Sequence, residues 1–196
     1  MPAQTIGIQP AVPQRVSLAI GNAAKRTGVP FNYLMAQARV ESSLDPDAQA
    51  SSSSAAGLFQ FTKQTWLATL SQHGPNHGLE WAADAIRKGA DGQYRIADPQ
   101  MREQILGLRF DPEISSAMAA EFADDNADML RSRFGEEPEP VDLYLAHFLG
   151  AQGASQFLSA WRADPNGPRP YAAGTWGPPA SSAMVARDGC SWDEEQ

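Results

Sequence analysis

Apolar residues recur every three or four positions along most of the chain, which is the spacing of one face of an α-helix. The first such stripe stops at Gly28, a residue suited to a helix C-terminus. Pro30 then suits the start of a second helix, because its missing N–H costs nothing there. The residues of the first stripe are Val16, Ala19, Ile20, Ala23 and Ala24. The pattern predicts a mainly α-helical protein.

Further helices are predicted downstream. Thr62 is placed to act as an N-cap for a short helix that ends near Gly74. The sequence Asp-Pro-Glu at 111–113 is a strong start for a long, alanine-rich helix, which we expect to be central and buried. The other predicted helices are 79–88, 99–108, and the pair 141–149 and 154–161, hinged at 150–153. Few segments alternate with a period of two, so at most a small hairpin is expected, with 58–61 as the best strand candidate.

Periodicity and composition also divide the chain. Residues 12–163 are predicted to form one domain, interrupted by a small, polar, Ser/Ala-rich loop at 45–57. From residue 164 to 196, Pro, Gly, Ser and Ala dominate. This tail is expected to be extended or partly disordered, although Tyr171 and Trp176 offer side chains that would pin part of it to the domain.

Glu41 stands out because it continues an apolar stripe. Phe31, Leu34, Met35 and Ala38 have helical spacing, and the next position on that face is Glu41. A carboxyl group on a core-facing stripe is costly unless it has a partner or a chemical role. It also lies near the predicted end of its helix, where the helix dipole disfavours a negative charge. The sequence therefore predicts an acid that keeps its proton to higher pH than a solvated glutamate, as a general acid requires.

Composition and charge exclude several classes of protein. The 196 residues are 42% hydrophobic and 19% charged, which suits one globular domain with a sizeable core. The net charge is -8, and the 15 Lys and Arg residues are scattered singly, so we expect no nucleic-acid partner. The single cysteine, Cys190, cannot form an intramolecular disulfide. No run of apolar residues predicts a membrane span, and no secretory signal is visible at the N-terminus.

One block of residues resembles a known family. It begins with Glu41-Ser42-Ser43-Leu44-Asp45-Pro46 and continues with Ser51 and with Gly57-Leu58-Phe59-Gln60-Phe61. This block is similar to the soluble lytic transglycosylase (SLT) domain of the lysozyme-like superfamily. A third family element, Ala-Tyr-Asn-Ala-Gly, corresponds to residues 146–150. The resemblance extends over about 16–161 and implies a mainly α, lysozyme-like (goose-type or SLT) helical domain.

The resemblance also implies an activity and its residues. The substrate would be the glycan strands of peptidoglycan, cut at the β-1,4 bond between N-acetylmuramic acid and N-acetylglucosamine, with a 1,6-anhydromuramoyl product. Glu41 corresponds to the single catalytic acid and base. Gln60 would reach the sugar near the cut bond, Ser51 would bind the acetamido group or Glu41, and Phe59 would contact the glycan through its backbone. No metal or cofactor is implied, and His73 and His77 are not expected to form a metal site.

The third element departs from the family pattern. His147 stands where the family has Tyr, and Phe148 stands where it has Asn. An imidazole at His147 would position the acid as a tyrosine does, but a charged ring would hinder it by favouring the carboxylate. In that case activity should fall as the pH drops through the titration of the ring. The alternative is that His147 is a packing residue with no part in the site.

Two other functions stay open at this point. One is a hydrolytic muramidase on the same fold, with a water molecule held by Asp45 or another carboxylate. The other is a non-catalytic murein-binding or assembly component of a secretion, flagellar or virion apparatus, any of which would also serve as a partner of the enzyme. We expect a monomer located in the periplasm or cell envelope, reached by non-standard export, through phage, or with an export segment missing from this sequence.

Overall fold

The computed structural model describes residues 12–164, and the elements of this part confirm the prediction of a mainly α protein. It contains seven α-helices, two short 3-10 helices and one two-stranded antiparallel sheet. The α-helices are α1 (Val12–Thr27), α2 (Phe31–Ser42), α3 (Lys63–His73), α4 (Glu80–Ala85), α5 (Pro99–Gly107), α6 (Pro112–Phe134) and α7 (Pro140–Ala163). The 3-10 helices are Gly74–His77 and Leu108–Phe110, and the strands are β1 (Arg87–Lys88) and β2 (Tyr94–Arg95).

Helix α6 is the centre of the fold, as its alanine-rich sequence predicts. Asp111 caps it by accepting hydrogen bonds from the backbone N–H groups of Glu113 and Ile114. Small side chains then allow neighbouring helices to approach closely, and α6 packs against α1, α2, α3 and α7. The buried small residues include Ser115, Ser116, Ala117, Ala119, Ala120 and Ala123. Helices that are distant in sequence therefore meet on one common support.

A pair of histidines ties α6 to α3 and the 3-10 helix that follows it. The two ring nitrogens of His73 lie 3.1 Å from Glu121 and 2.8 Å from Asp125. His77 Nε2 lies 2.6 Å from the other oxygen of Glu121. Both residues therefore have carboxylates of α6 as partners. Within the described residues, no group of three or more His, Cys, Asp or Glu side chains is arranged to hold a metal ion.

The small sheet is not where the sequence pattern placed it. The helix predicted for 79–88 ends at Ala85. The last two residues of the predicted range, Arg87 and Lys88, instead form β1, which pairs with β2. The intervening turn contains Gly92 at φ 79°, and Gly89 and Gln93 join the strands by a backbone hydrogen bond of 2.8 Å. In the predicted strand at 58–61, only Phe61 pairs, in an isolated bridge with Ala56. Local turn chemistry therefore decided the position of the hairpin.

Helix α7 bends at Gly150, which confirms the predicted hinge in part. Gly150 adopts φ 71° and ψ 154°, a conformation that breaks the helix and that glycine adopts without strain. Residues 151–153 are helical, so the hinge is one residue rather than four. The predicted tail at 164–196, with Tyr171, Trp176 and Cys190, lies outside the described residues except for Asp164. Among the helices of the described part, none is both long and apolar enough to cross a membrane.

The loop between α2 and α3 is fixed by a buried cation. Arg109 is 6% exposed, and its guanidinium donates hydrogen bonds to the carbonyl oxygens of Leu106, Ser54 and Phe61 at 2.9, 2.7 and 3.1 Å. Burial lowers the pKa of Arg109 from its ordinary value. A buried guanidinium is tolerated because its donors are satisfied, so Arg109 holds both ends of the second half of this loop.

Gly57 allows the loop to approach the backbone of Arg109. It adopts φ 79°, and a Cβ atom built on it would lie 2.0 Å from the Arg109 carbonyl oxygen. Its N–H also donates to the carbonyl oxygen of Ala48 at 2.8 Å. Only glycine combines this conformation with this contact, so the loop geometry depends on residue 57.

We expect Gly57→Ala to lower the free energy of unfolding by at least about 2 kcal/mol, because strain at positive φ adds to a backbone clash. Gly78→Ala is the matched control, since Gly78 has φ 72° but nothing within 4 Å of a built Cβ. That control should lose only about 1 kcal/mol. Urea unfolding of both variants measures the difference, and equal losses would contradict the clash with Arg109.

Candidate functional site

Glu41 lies in the last turn of α2, one residue before the helix ends. Ser43 and Leu44 follow with positive φ values of 56° and 67°. The N–H of Leu44 donates a hydrogen bond to the carbonyl oxygen of Ala38 at 3.3 Å. Ser42 Oγ donates to the carbonyl oxygen of Leu58 at 2.8 Å. The end of α2 is thus closed by a left-handed turn and joined to the loop that carries the other predicted site residues.

The buried face of α2 differs from the predicted stripe. The buried residues are Tyr33, Leu34, Gln37 and Ala38, whereas Phe31 is 43% exposed. Glu41 continues the face of Gln37 and Ala38 by one turn, but its side chain is 23% exposed. Glu41 therefore lies where the buried face of α2 reaches the surface. The carboxyl group is partly desolvated and faces polar neighbours.

His147 of α7 is the hydrogen-bond partner of Glu41. Its Nε2 lies 3.2 Å from Oε1 of the carboxyl group. On the other side of the ring, Gln37 Nε2 donates to His147 Nδ1 at 3.0 Å. The residue that departs from the family pattern therefore contacts the candidate acid directly. No arginine or lysine of residues 12–164 forms an ion pair with Glu41.

Two tyrosines complete the surroundings of the carboxyl group. Burial raises the pKa of Tyr33, and the charges of Tyr144 and Glu41 raise it further. Burial also raises the pKa of Tyr144, again with a contribution from Glu41. The ring of Tyr144 lies 6.5 Å from that of His147, and Phe122 of α6 meets the same imidazole edge-on at 6.2 Å. Aromatic rings thus enclose His147 on two sides.

Sequence reasoning missed three residues of this cluster: Tyr33, Gln37 and Tyr144. A signal for them exists in the spacing. Tyr33, Gln37 and Glu41 are four residues apart and share one face of α2, whereas Tyr144 precedes His147 by one turn. A buried glutamine one turn before a candidate acid is a polar position on a core face. Gln37 is therefore recognisable by the same feature as Glu41, a polar side chain on the core-facing side of a helix.

The remaining predicted residues lie on the loop before α3 or beside His147. Gln60 adopts φ 47°, and its Nε2 donates to the carbonyl oxygens of Ala48 and Gly57 at 3.2 and 2.9 Å. Phe59 is 1% exposed, so it belongs to the core. Ser51 is exposed and Phe148 is half-buried. Across the described residues, no hydrogen bond joins Ser51 or Gln60 to Glu41.

Asp45, the alternative second carboxylate, has a local partner. It is exposed, and its Oδ1 accepts a hydrogen bond of 2.9 Å from the backbone N–H of Asp47. This is the Asx turn that an Asp-Pro sequence favours. The cluster around Glu41 therefore contains one carboxyl group, one imidazole, one amide and two phenols. Such a set of side chains is suited to proton transfer by a single carboxyl group.

Comparisons with known proteins agree with the residues that carry the resemblance. Residues 19–85, about a third of the chain, match the family model of the transglycosylase SLT domain. The match includes Glu41 and the loop before α3, but it ends before α6 and α7. A short segment of 37 residues is 60% identical to a protein of Dickeya dadantii (strain 3937) named glucose-6-phosphate 1-dehydrogenase. That similarity covers 19% of this chain and 8% of the relative, so it carries no argument about activity.

We expect Tyr33 to make the protein lose stability at alkaline pH. Because its pKa is raised in the folded state, the unfolded chain ionises first, above an ordinary value of about 10. The contribution of Tyr33 to the free energy of unfolding is therefore complete below about pH 10. It decreases as the pH rises further, by up to about 1.4 kcal/mol per pH unit. Urea unfolding between about pH 8 and 11 measures this slope.

Tyr33→Phe should make that alkaline decrease shallower, since it removes only the phenol oxygen. Tyr94→Phe, in strand β2, is the matched control and should leave the decrease unchanged. If both variants keep the full alkaline slope, the buried phenol of Tyr33 is not its source.

Proposed function

Because the chain carries an SLT-type transglycosylase domain of the lysozyme-like kind over residues 19–85, we propose that it is a peptidoglycan lytic transglycosylase with Glu41 as its general acid and base. Glycosyl-cleaving transglycosylase activity is what the domain family implies in general. The finer proposal is cleavage of the β-1,4 bond between N-acetylmuramic acid and N-acetylglucosamine, with formation of a 1,6-anhydromuramoyl end. The observation that carries it is the contact between Glu41 and His147 at 3.2 Å.

The proposed reaction uses one carboxyl group twice. Protonated Glu41 gives its proton to the glycosidic oxygen as the bond to C1 breaks, and the 2-acetamido group of the sugar stabilises the cation at C1. The Glu41 carboxylate then accepts the proton of the C6 hydroxyl, whose oxygen bonds to C1. The proton count returns to its starting value, and no water is consumed. A group that serves as both acid and base must accept and release its proton easily.

The surroundings of Glu41 support this double role. The N–H of His147 is a donor that stabilises the carboxylate formed in the first step, and hydrogen bonds to charged groups contribute about 1.5–3 kcal/mol. The side chain of Glu41 is partly buried, and its charge contributes to the raised pKa of both Tyr33 and Tyr144. Glu41 thus has one direct hydrogen-bond partner, His147, and two phenols in its surroundings.

The number of carboxyl groups that take part in the reaction distinguishes this proposal from a hydrolytic one. Glycosidases that use water or a nucleophile place two carboxyl groups on either side of the bond that they cut. In the described part of the chain, no carboxylate shares a hydrogen-bond network with Glu41, and Asp45 is committed to its own turn. Asp45 therefore makes no hydrogen bond with the Glu41 cluster in this part of the chain, and we propose the single-carboxylate mechanism that closes the anhydro ring, with the reaction products as its test.

The substrate also sets the location that we propose. Peptidoglycan lies outside the cytoplasmic membrane, where SLT domains act, so the protein should work in the periplasm or cell envelope. Ser51, Gln60 and Phe148 are the residues that we propose to contact the glycan strand, whereas the burial of Phe59 argues against the backbone contact that the resemblance implies. Gln60 would do so through its carbonyl oxygen, because its amide nitrogen already donates to two backbone carbonyls.

We expect Glu41→Gln to lower the rate of release of soluble fragments from purified sacculi by about 10²–10⁴-fold, since the amide can act neither as a general acid nor as a general base. Mass spectrometry of the wild-type digest should show 1,6-anhydromuramoyl ends. Asp45→Asn is the matched control, because the amide oxygen preserves the turn while the charge is lost. That variant should retain activity.

Each other outcome identifies a different function. Reducing ends in the digest, with loss of activity in Asp45→Asn, would show a hydrolytic muramidase. Equal release by the wild type and Glu41→Gln would remove Glu41 from the reaction. Binding of sacculi without any release would leave a murein-binding or assembly protein.

A further inference from the structure

A buried amide stands behind the imidazole that contacts Glu41. Gln37 is 5% exposed and lies one turn before Glu41 on α2. Its Nε2 is 3.0 Å from Nδ1 of His147, whose Nε2 is in turn 3.2 Å from Glu41 Oε1. The three side chains form one line of hydrogen bonds from the core of the protein to the candidate acid. Gln37 lies inside the matched family segment and His147 outside it.

The orientation of this amide has a physical reason. Gln37 Oε1 is buried and has no hydrogen-bond partner among the described residues. Turning the amide by 180° would instead place the NH₂ group, with its two donors, at that unpartnered position. Buried N–H groups without acceptors are rarer in proteins than buried carbonyl oxygens whose hydrogen bonds are unmade. The orientation in which Nε2 faces His147 is therefore the less costly one.

The orientation determines which nitrogen of His147 carries a proton. An amide nitrogen donates but does not accept, so Nδ1 must be the acceptor in this contact. A neutral imidazole has one protonated nitrogen, which leaves the proton on Nε2. The ring then donates from Nε2 to Glu41. The carboxyl group cannot make this choice alone, because it accepts when ionised and donates when protonated. Tyr144 and Phe122 meet the ring only through aromatic contacts.

We propose that Gln37 is a positioning residue for Glu41: its amide fixes His147 as the Nε2–H tautomer, so that the ring donates to Oε1 and leaves Oε2 to hold the transferable proton. The catalytic part of this statement rests on the proposed function, whereas the tautomer does not. Because Oε1 is occupied as an acceptor, the sugar must approach Oε2. Gln37 thus selects the face of the carboxyl group that meets the substrate.

The tautomer is measurable in the wild-type protein by NMR of ¹⁵N-labelled histidine, without any substitution of Gln37. The chain has three histidines, so comparison with His147→Phe assigns the signals of His147. The spectrum is recorded at a pH above which the ring signals no longer change, where the imidazole is neutral. We expect an unprotonated Nδ1 and a protonated Nε2. A protonated Nδ1 in the wild type would overturn the proposal whatever the activity.

Two substitutions test whether Gln37 is the cause. Gln37→Glu places an acceptor against Nδ1, so we expect that nitrogen to become protonated. Gln37→Met has a similar length and no donor, so we expect a mixture of the two tautomers in place of the single Nε2–H form, and it serves if the first variant does not fold. Gln104→Glu, on the exposed face of α5, is the matched control for the added charge and should leave the ring unchanged. An unchanged tautomer in both Gln37 variants would overturn the role of the amide.

Activity on sacculi then separates this inference from the proposed function. We expect the maximal rate to fall about tenfold in the Gln37 variants, which is the effect of one lost hydrogen bond on the reacting group, with little change in the half-saturating substrate concentration. A tenfold higher half-saturating substrate concentration at an unchanged maximal rate would overturn the positioning role. If the tautomer behaves as stated but the wild type releases no fragments, the proposed function fails and the tautomer assignment stands.

Discussion

The hydrogen bond between Glu41 and His147 is the contact on which the candidate site depends. It joins residues that are 106 positions apart, at the end of α2 and in the first half of α7. Both helices pack against α6, and Phe122 of α6 meets the imidazole edge-on. The small side chains of α6 therefore set the distance between an acid and its partner. Packing in the core and chemistry at the site are linked through this one helix.

The loop before α3 is positioned by an independent set of contacts. Arg109 satisfies backbone carbonyls at Ser54 and Phe61, Gly57 makes room for the Arg109 backbone, and Ser42 joins the end of α2 to Leu58. These contacts involve backbone atoms, so the loop keeps its shape with small, polar side chains such as Ser51 at its surface. Ser51 and Gln60, two of the proposed glycan contacts, thus lie on a loop whose conformation is determined by buried backbone contacts.

The chemistry of the site extends beyond the segment that matches the SLT family. The matched residues 19–85 supply Glu41, Gln37, Tyr33 and the loop, whereas α6 and α7 supply Phe122, Tyr144 and His147. An imidazole differs from a phenol because it has two nitrogens and a choice of tautomer. The site therefore needs a second polar group to make that choice, and the buried amide of Gln37 is placed to do so.

The sequence alone determined the helical class, most helix boundaries and the position of Glu41. Capping residues such as Thr62 and Asp111, and Gly150 at the hinge, act through local backbone geometry, which one segment of sequence contains. The tertiary structure decided what local patterns do not contain. It exposed Phe31, left Glu41 partly exposed, and brought Gln37 and Arg109 to partners 110 and up to 55 residues away. Those outcomes depend on which helices pack together, and therefore on distances between residues that are remote in the chain.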